Sequence, residues 1–312
     1  MKAISIVDTF KQSAWATGGA LVLVGACAVF FGFGRAVQLL VASSPFVGFY
    51  VIVGIGQMMV ITSGPGNIDL SIPATMTLSG YLALGLVTYN GMSVPVSALI
   101  GIVVGLGMGM FNSLMIITLR IPPMIATLSG GFILQSIAVS YSRGSTAAPA
   151  RSIAHFAQDR VFGLSSIFIV ACTALIVVGA VLGSSIYGRY LESTGQNRVA
   201  ARLSKIPVTF VTVGVYCASG VLAALAGILF AAFSGGASMS MGDEFLLVSI
   251  AVVVLGGTSV AGGRYTMIGT LAGAIFLFYA VTMLNVLQFN AGVRSVLTGA
   301  LIILVLAFRG RG

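Results

Sequence analysis

Long uncharged runs dominate the chain, and short segments between them carry the charged side chains. A bilayer-spanning helix needs about 20 apolar residues, so most of these runs are predicted to cross a membrane. The uncharged runs cover 12–34, 36–68, 70–119, 121–142, 161–188, 206–242, 245–263, 265–293 and 295–308.

The longest run, 70–119, contains a polar interruption from Tyr89 to Pro95 that is rich in turn-forming Asn, Gly and Pro. It is therefore predicted to hold two helices, which brings the number of spans to about ten. The pattern predicts an all-α integral membrane protein, with 1–312 forming a single transmembrane domain. The predicted spans are 13–33, 45–63, 71–88, 95–118, 123–142, 163–183, 208–233, 245–259, 266–286 and 291–308.

Composition excludes a soluble fold, because 58% of the residues are hydrophobic and only 7% are charged. The net charge of +9 lies in loops beside the spans, which indicates contact with lipid headgroups and not with nucleic acid. Cytoplasmic loops carry an excess of Lys and Arg, so we expect the N-terminus and the C-terminus to be cytoplasmic. Ten of the 15 basic residues then lie inside: Lys2, Lys11, Arg120, Arg189, Arg198, Arg202, Lys205, Arg264, Arg309 and Arg311.

Motifs for chemistry are missing from the sequence. It has no Gly-Lys-Ser or Gly-Lys-Thr, and so no phosphate-binding P-loop. The three cysteines fall inside predicted spans and the single histidine, His155, lies in a loop, which predicts neither a disulfide nor a metal site. We expect no catalytic residue and no cofactor in this chain, and movement of a solute is the remaining function.

The segment from Ile61 to Pro73 places Asp69 among helix breakers inside the apolar chain. Broken helix at membrane depth requires cover by protein or a hydrated cavity, and an ionisable group there suggests function. Asp69 either contacts the solute or caps a half-helix through neighbouring N–H groups, with help from Ser71. The other pathway candidates could line the path or bond between helices: Asn67, Asn112, Gln135 and Asn285.

Two further segments interrupt the apolar pattern. The inner loop 184–207 contains a predicted short amphipathic helix, Gln196 to Ser204, which either touches headgroups or docks to a partner. Residues Gly256 to Arg264 carry two pairs of glycines that allow close backbone approach.

Glycines at 101, 105 and 109 lie on one face of a predicted span. This spacing favours close contact between helices and not a conducting role.

Three motifs resemble the membrane permease subunits of ribose-type ABC sugar importers. The family's Ser-Gly-Gly-Ile-Asp-Leu-Ser pattern is similar to Ser63–Ser71. Its Gly-x-Asn-x-x-Ala-Ala-Arg-x-Ser-Gly-Ile pattern is similar to Gly195–Ile206, and its Gly-Gly-Thr-Ser-x-Ala-Gly-Gly-Arg pattern to Gly256–Arg264. The resemblance covers about 45 to 308. Pro65 and Asn67 lengthen the first motif, and Lys205 stands where the family has glycine.

The resemblance implies a permease in the bacterial inner membrane that moves a monosaccharide or related solute. Two permease subunits, identical or homologous, would enclose the path. An extracytoplasmic sugar-binding protein would deliver the solute, and separate ATPase subunits holding ATP and magnesium would bind the cytoplasmic coupling loop 184–207. The implied coupling residues are Gly195, Asn197, Arg198, Ala200, Ala201, Arg202 and Lys205.

Two other functions stay open: a stand-alone secondary transporter or channel, and a membrane scaffold without transport. The scarcity of acidic residues inside the spans disfavours coupling to an ion gradient. A weak internal symmetry, in which the segment before Asp69 resembles the one before Asp243, predicts a five-plus-five inverted repeat.

Overall fold

The structure, a computed structural model, describes residues 6–90, 94–142, 148–149, 151–161, 163–286, 290, 292–293, 296–297, 299–300 and 303. These residues form a bundle of helices with one two-stranded antiparallel hairpin, β1 (Arg160–Val161) and β2 (Leu164–Ser165). The helices are α1 (Ile6–Phe31), α2 (Phe33–Thr62), α3 (Ile72–Asn90), α4 (Val94–Ile117), α5 (Pro123–Ser142), α6 (Arg151–Gln158), α7 (Ser166–Ser184), α8 (Ile186–Gln196), α9 (Arg198–Leu203), α10 (Val208–Phe233), α11 (Phe245–Leu255) and α12 (Met267–Val286).

Six helices in the described part of the chain are long and apolar enough to cross a membrane: α2, α4, α5, α7, α10 and α12. Shorter apolar stretches occur in α1, α3 and α11. The prediction of a helical, multi-pass membrane protein is confirmed. The number of ten spans and the inverted repeat stay predictions, and more than half of the tenth span, 291–308, falls outside the described residues.

The long run 70–119 forms two helices, α3 and α4, as its polar interruption predicts. The second predicted span, 45–63, was wrong at its start. Helix α2 begins at Phe33 and continues through Pro45. Proline has no N–H to offer the carbonyl of Val41, one turn earlier. Ser44 Oγ donates to that carbonyl at 2.8 Å and replaces the missing bond.

Helix α10 lies at the centre of the bundle and packs against α2, α3 and α4. Helix α4 approaches it closely along the predicted glycine face. A Cβ on Gly105 would overlap the backbone of Gly220, and one on Gly109 would overlap the backbone of Cys217. The prediction that this face serves helix contact is confirmed.

Large apolar side chains stay exposed on the outer faces of α4 and α7. Val103, Met110 and Ile176 are 62%, 61% and 68% exposed. Apolar surface of this extent is expected where a helix faces lipid. The polar segments that form the candidate site therefore lie on the buried side of the bundle, away from these lipid-facing surfaces.

Candidate functional site

The chain leaves α2 in a tight turn and enters α3 only at Ile72. Ser63 and Asn67 close this turn, because Asn67 Nδ2 donates to Ser63 Oγ at 2.8 Å and the Asn67 N–H donates to the Gly64 carbonyl at 3.2 Å. Pro65 and Gly66 are exposed at its tip. The two residues that lengthen the motif therefore have different places: Pro65 projects outward, and Asn67 is buried and fastens the turn.

Asp69 is 2% exposed, and its carboxylate accepts bonds on both oxygens. Oδ1 accepts from the Ser71 N–H at 3.0 Å and from Ser71 Oγ at 2.5 Å. Oδ2 accepts from Ser219 Oγ on α10 at 2.7 Å. Hydrogen bonds to a charged acceptor are stronger than neutral ones, so these bonds fasten the start of α3 to the central helix.

Other helices hold the same segment from the sides. Asn112 Nδ2 on α4 donates to Ser71 Oγ at 2.9 Å. The Leu70 N–H donates to Thr127 Oγ1 on α5 at 3.0 Å, and the Asp69 N–H donates to Gln57 Oε1 on α2 at 3.3 Å. Side chains thus replace backbone partners where the helix is interrupted, as a membrane interior requires.

The broken segment lies well inside the bundle. Ser219, which contacts Asp69, follows the first residue of α10 by 11 residues, so it lies about 16 Å along that helix at 1.5 Å per residue. A hydrocarbon core is about 30 Å thick. Asp69 is therefore at membrane depth.

The structure brings some of the predicted pathway residues together and separates others. Asn67, Asp69, Ser71 and Asn112 belong to one hydrogen-bonded cluster. Gln135 lies elsewhere on α5 and donates from Nε2 to the Met239 carbonyl at 3.0 Å. Asn285 is the second-last residue of α12. The contacts of Asp69 suit a structural carboxylate, and its contact with solute stays a prediction.

The coupling loop forms two helices, α8 and α9, where one short helix was predicted. Asn197 separates them, because its Oδ1 accepts from the N–H groups of Val199 and Ala200, both at 3.0 Å. An asparagine in this position caps a new helix and interrupts the previous one. The prediction was wrong in starting the short helix at Gln196, which is the last residue of α8.

Helix α9 ends in a Schellman motif centred on Lys205. The Lys205 N–H donates to the Arg202 carbonyl and the Ile206 N–H to the Ala201 carbonyl, both at 3.0 Å. Lys205 has φ of 60°, the left-handed region in which glycine is favoured. The glycine that the family has here suits this conformation, and the lysine adopts it at a cost.

The three motifs meet at one point, which we name the glycine junction: Thr62, Gly64, Gly195, Gly262 and Gly263. The Gly263 N–H donates to the Thr62 carbonyl at 2.8 Å. A Cβ on Gly195 would overlap that same carbonyl oxygen, and one on Gly262 would lie 2.8 Å from the Gly64 Cα. Gly262 and Gly263 both have positive φ, at 84° and 75°. The junction therefore joins the end of α8 to the start of the broken segment without side chains between them.

The surface of α9 is divided between buried and exposed positions. Ala201 is 3% exposed, and Arg198 turns inward so that its Nη2 lies 3.4 Å from Thr212 Oγ1. Val199 and Leu203 are 70% and 81% exposed. With exposed Arg202 and Lys205 beside them, they form a free apolar and basic surface, which we name the α9 surface.

Two titratable groups beside the junction have shifted pKa values. Partial burial of Glu192 on α8 raises the pKa of its carboxyl group, and the nearby Arg264 guanidinium opposes this increase. Burial raises the pKa of Tyr265 to about 12, with a further contribution from the Glu192 charge. The carboxyl group of Glu192, the guanidinium of Arg264 and the phenol of Tyr265 thus interact electrostatically at this end of the bundle.

Gln57, Thr127 and Ser219 contact the broken segment, and the sequence patterns did not select them. Their common signal is a polar side chain inside an otherwise apolar span. That signal is weak, because hydroxyl groups in helices commonly bond to their own backbone, as Thr127 Oγ1 also does to the Pro123 carbonyl at 3.0 Å.

Comparison with known proteins identifies the family to which the chain belongs. Residues 37–306 match the family described as branched-chain amino acid transport system / permease component. The chain belongs to this permease family. The autoinducer 2 import system permease protein LsrC of Enterobacter sp. (strain 638) is 31% identical over 264 residues, which are 84% of this chain and 76% of the relative. LsrC of Yersinia enterocolitica is 30% identical over 84% of this chain and 72% of the relative. LsrC of Salmonella typhimurium is 30% identical, with 84% and 75% covered. No solved structure is matched.

The resemblance to ribose-type importer permeases is confirmed by these matches. The chain is a non-catalytic permease component of an ABC importer, and a separate ATPase hydrolyses the ATP. A permease of this class also works with an extracytoplasmic binding protein. It is a multi-pass protein of the inner membrane.

Proposed function

We propose that this permease imports a monosaccharide or a related small polar solute, and that autoinducer 2 is the first solute to test. The support is the 31% identity to a permease that is named for autoinducer 2 import. In this proposal two permease subunits enclose the path, the N-terminus and the C-terminus are cytoplasmic, and ten helices cross the membrane in two related halves.

The glycine junction carries the proposal for coupling. Backbone meets backbone where Gly195 of α8 touches Thr62 and Gly263, so a movement of the coupling loop acts directly on these two residues. Packed backbone transmits displacement because interiors are dense and have little compressibility. A shift of α8 driven by ATP binding would therefore reach the segment that contains Asp69.

The α9 surface is the proposed docking site for the ATPase. Val199 and Leu203 are the most exposed apolar side chains of the coupling loop, and Arg202 and Lys205 add positive charge. Interfaces combine an apolar centre with charged residues at the rim. Arg198 is a poor member of this surface, because it turns toward Thr212.

The test is a charge reversal that leaves the fold intact. Arg202→Glu on the α9 surface is expected to lower the amount of ATPase that copurifies and to lower ATP-driven uptake. The matched control is Arg189→Glu, an exposed charge on α8 outside this surface, which is expected to leave both unchanged. Normal assembly and uptake in Arg202→Glu would overturn the docking site.

A further inference from the structure

The segment between α10 and α11 returns into the bundle instead of staying at its end. A Cβ on Gly242 would overlap the carbonyl of Pro73, the second residue of α3. One on Gly227 of α10 would overlap the carbonyl of Met76. Pro73 lies three residues before Met76 on α3, and Phe233, where α10 ends, lies six residues after Gly227. At 1.5 Å per residue along each helix, Gly242 lies about 13 Å deeper in the bundle than Phe233. Asp243 is thus at membrane depth.

Asp243 is exposed at that depth in the single subunit. A carboxylate facing lipid is costly, and such groups in membrane proteins face a partner or a water-filled cavity. Glu244 next to it is also exposed. This side of the bundle is therefore covered in the working importer by protein or water, and not by lipid.

A cleft of about 250 Å³ opens beside Asp243. Its floor is formed by Leu70 and Pro73 at the start of α3, and one wall by Phe132 and Gln135 on α5. Gln135 Nε2 holds the returning segment in place through its bond to the Met239 carbonyl. Phe132 is 66% exposed and offers an apolar face.

The donors and acceptors around the cleft are mixed. Helices α3 and α11 both begin there, and the N-terminal end of a helix carries partial positive charge. Asp243 supplies a carboxylate, which only accepts hydrogen bonds when ionised. Sugar hydroxyls donate and accept, so a neutral solute with several hydroxyl groups fits this combination, and the Phe132 ring suits the apolar face of such a solute.

We infer that this cleft is a binding subsite for a polyhydroxylated solute on its way through the permease, with Asp243 accepting bonds from the solute hydroxyl groups. The inference rests on the proposed function. It also identifies the face of α5 that contains Phe132 and Gln135 as the face along the path.

The first test asks whether water reaches Asp243. Asp243→Cys is placed in a protein whose native cysteines are changed to Ala, assembled with its ATPase and binding protein in liposomes. A membrane-impermeant, charged methanethiosulfonate reagent reacts with thiolate, which forms only where water is present. The control is Ile176→Cys, at the middle of the lipid-facing surface of α7. We expect modification of Asp243→Cys and not of Ile176→Cys; equal resistance of both would overturn the inference.

The second test asks whether the carboxylate binds solute. With radiolabelled D-ribose and with autoinducer 2 as probes, Asp243→Asn is expected to lower ATP-driven uptake about tenfold, the factor for replacing one hydrogen bond to a charged carboxylate by a weaker one to a neutral amide oxygen. Glu244→Gln, on the same segment but outside the cleft, is the matched control and should transport normally.

Two results separate this inference from the proposed function. Unchanged uptake in Asp243→Asn, with full ATP-driven uptake by the parent protein, would overturn the subsite and leave the importer intact. Absence of ATP-driven uptake in the parent protein for every sugar tested would overturn both.

Discussion

Substituting Gly195 by alanine perturbs the glycine junction with a single methyl group. The new Cβ would overlap the Thr62 carbonyl and lie 2.8 Å from the Gly263 Cα. Ordinary contact begins at 3.4 Å, and the Thr62 oxygen and the Gly263 nitrogen lie nearer to the new Cβ than the Gly263 Cα does, so the end of α8 must move away by more than about 0.6 Å. Because the neighbours are backbone atoms, no side-chain rotation relieves the overlap.

The size of the effect follows from two contributions. Overpacking of a dense contact costs about 1–3 kcal/mol. Loss of the Gly263 N–H bond to Thr62, 2.8 Å long, costs about 1 kcal/mol more. We therefore expect Gly195→Ala to lower the free energy of unfolding by about 2–4 kcal/mol.

The assay compares thermal unfolding of the purified protein with transport in liposomes. Gly195→Ala is expected to lower ATP-driven uptake more than ATP hydrolysis, because the ATPase still docks but its movement reaches the broken segment less well. The matched control is Gly183→Ala on α7, where a Cβ has nothing within 4 Å and alanine improves helix propensity. Wild-type stability and uptake in Gly195→Ala would refute the proposed contact.

Three further changes test individual contacts. Lys205→Gly should stabilise the protein by about 1 kcal/mol, because it relieves the positive φ of 60°. Ser204→Gly should not stabilise the protein, because Ser204 has φ of −80°. Thermal unfolding measures both variants. Ser219→Ala removes the 2.7 Å bond to Asp69 and should destabilise by about 1.5–3 kcal/mol in the same assay, and an unchanged melting temperature would contradict the structural role of that bond. Burial raises the pKa of Glu192 in the folded protein, so its contribution is present at low pH and is lost as the pH rises through the folded pKa. The melting temperature relative to Glu192→Gln should therefore fall as the pH rises from below to above the ordinary pKa range of a glutamate carboxyl group, and a constant difference would contradict this.

The pattern of apolar runs predicted most of the helices because bilayer thickness fixes the length of a span. It failed at Pro45, where a proline usually ends a helix and here Ser44 replaces the lost bond. It also failed at Gln196, because the capping by Asn197 depends on side-chain geometry that spacing does not reveal. Predictions from local sequence therefore fail where a side chain makes a hydrogen bond that the backbone usually makes.

The sequence predicted individual residues of the candidate site but not the contacts that bring them together. Asp69, Ser71 and Asn112 were selected as separate polar residues in spans, and the structure links them in one cluster. The contact of Gly195 with Thr62 could not be predicted, because 133 positions separate them in the chain. Glycine also has no side chain whose chemistry would indicate the residue that it contacts. Long-range contacts of backbone with backbone are set by packing.

We propose that this permease moves solute only when a separate ATPase drives it. The most direct measurement is uptake of radiolabelled solute into liposomes that contain the permease with or without ATPase and binding protein. We predict uptake that requires ATP and both partners and that does not respond to an imposed ion gradient. Uptake by the permease alone, driven by an ion gradient without ATPase, would contradict the account.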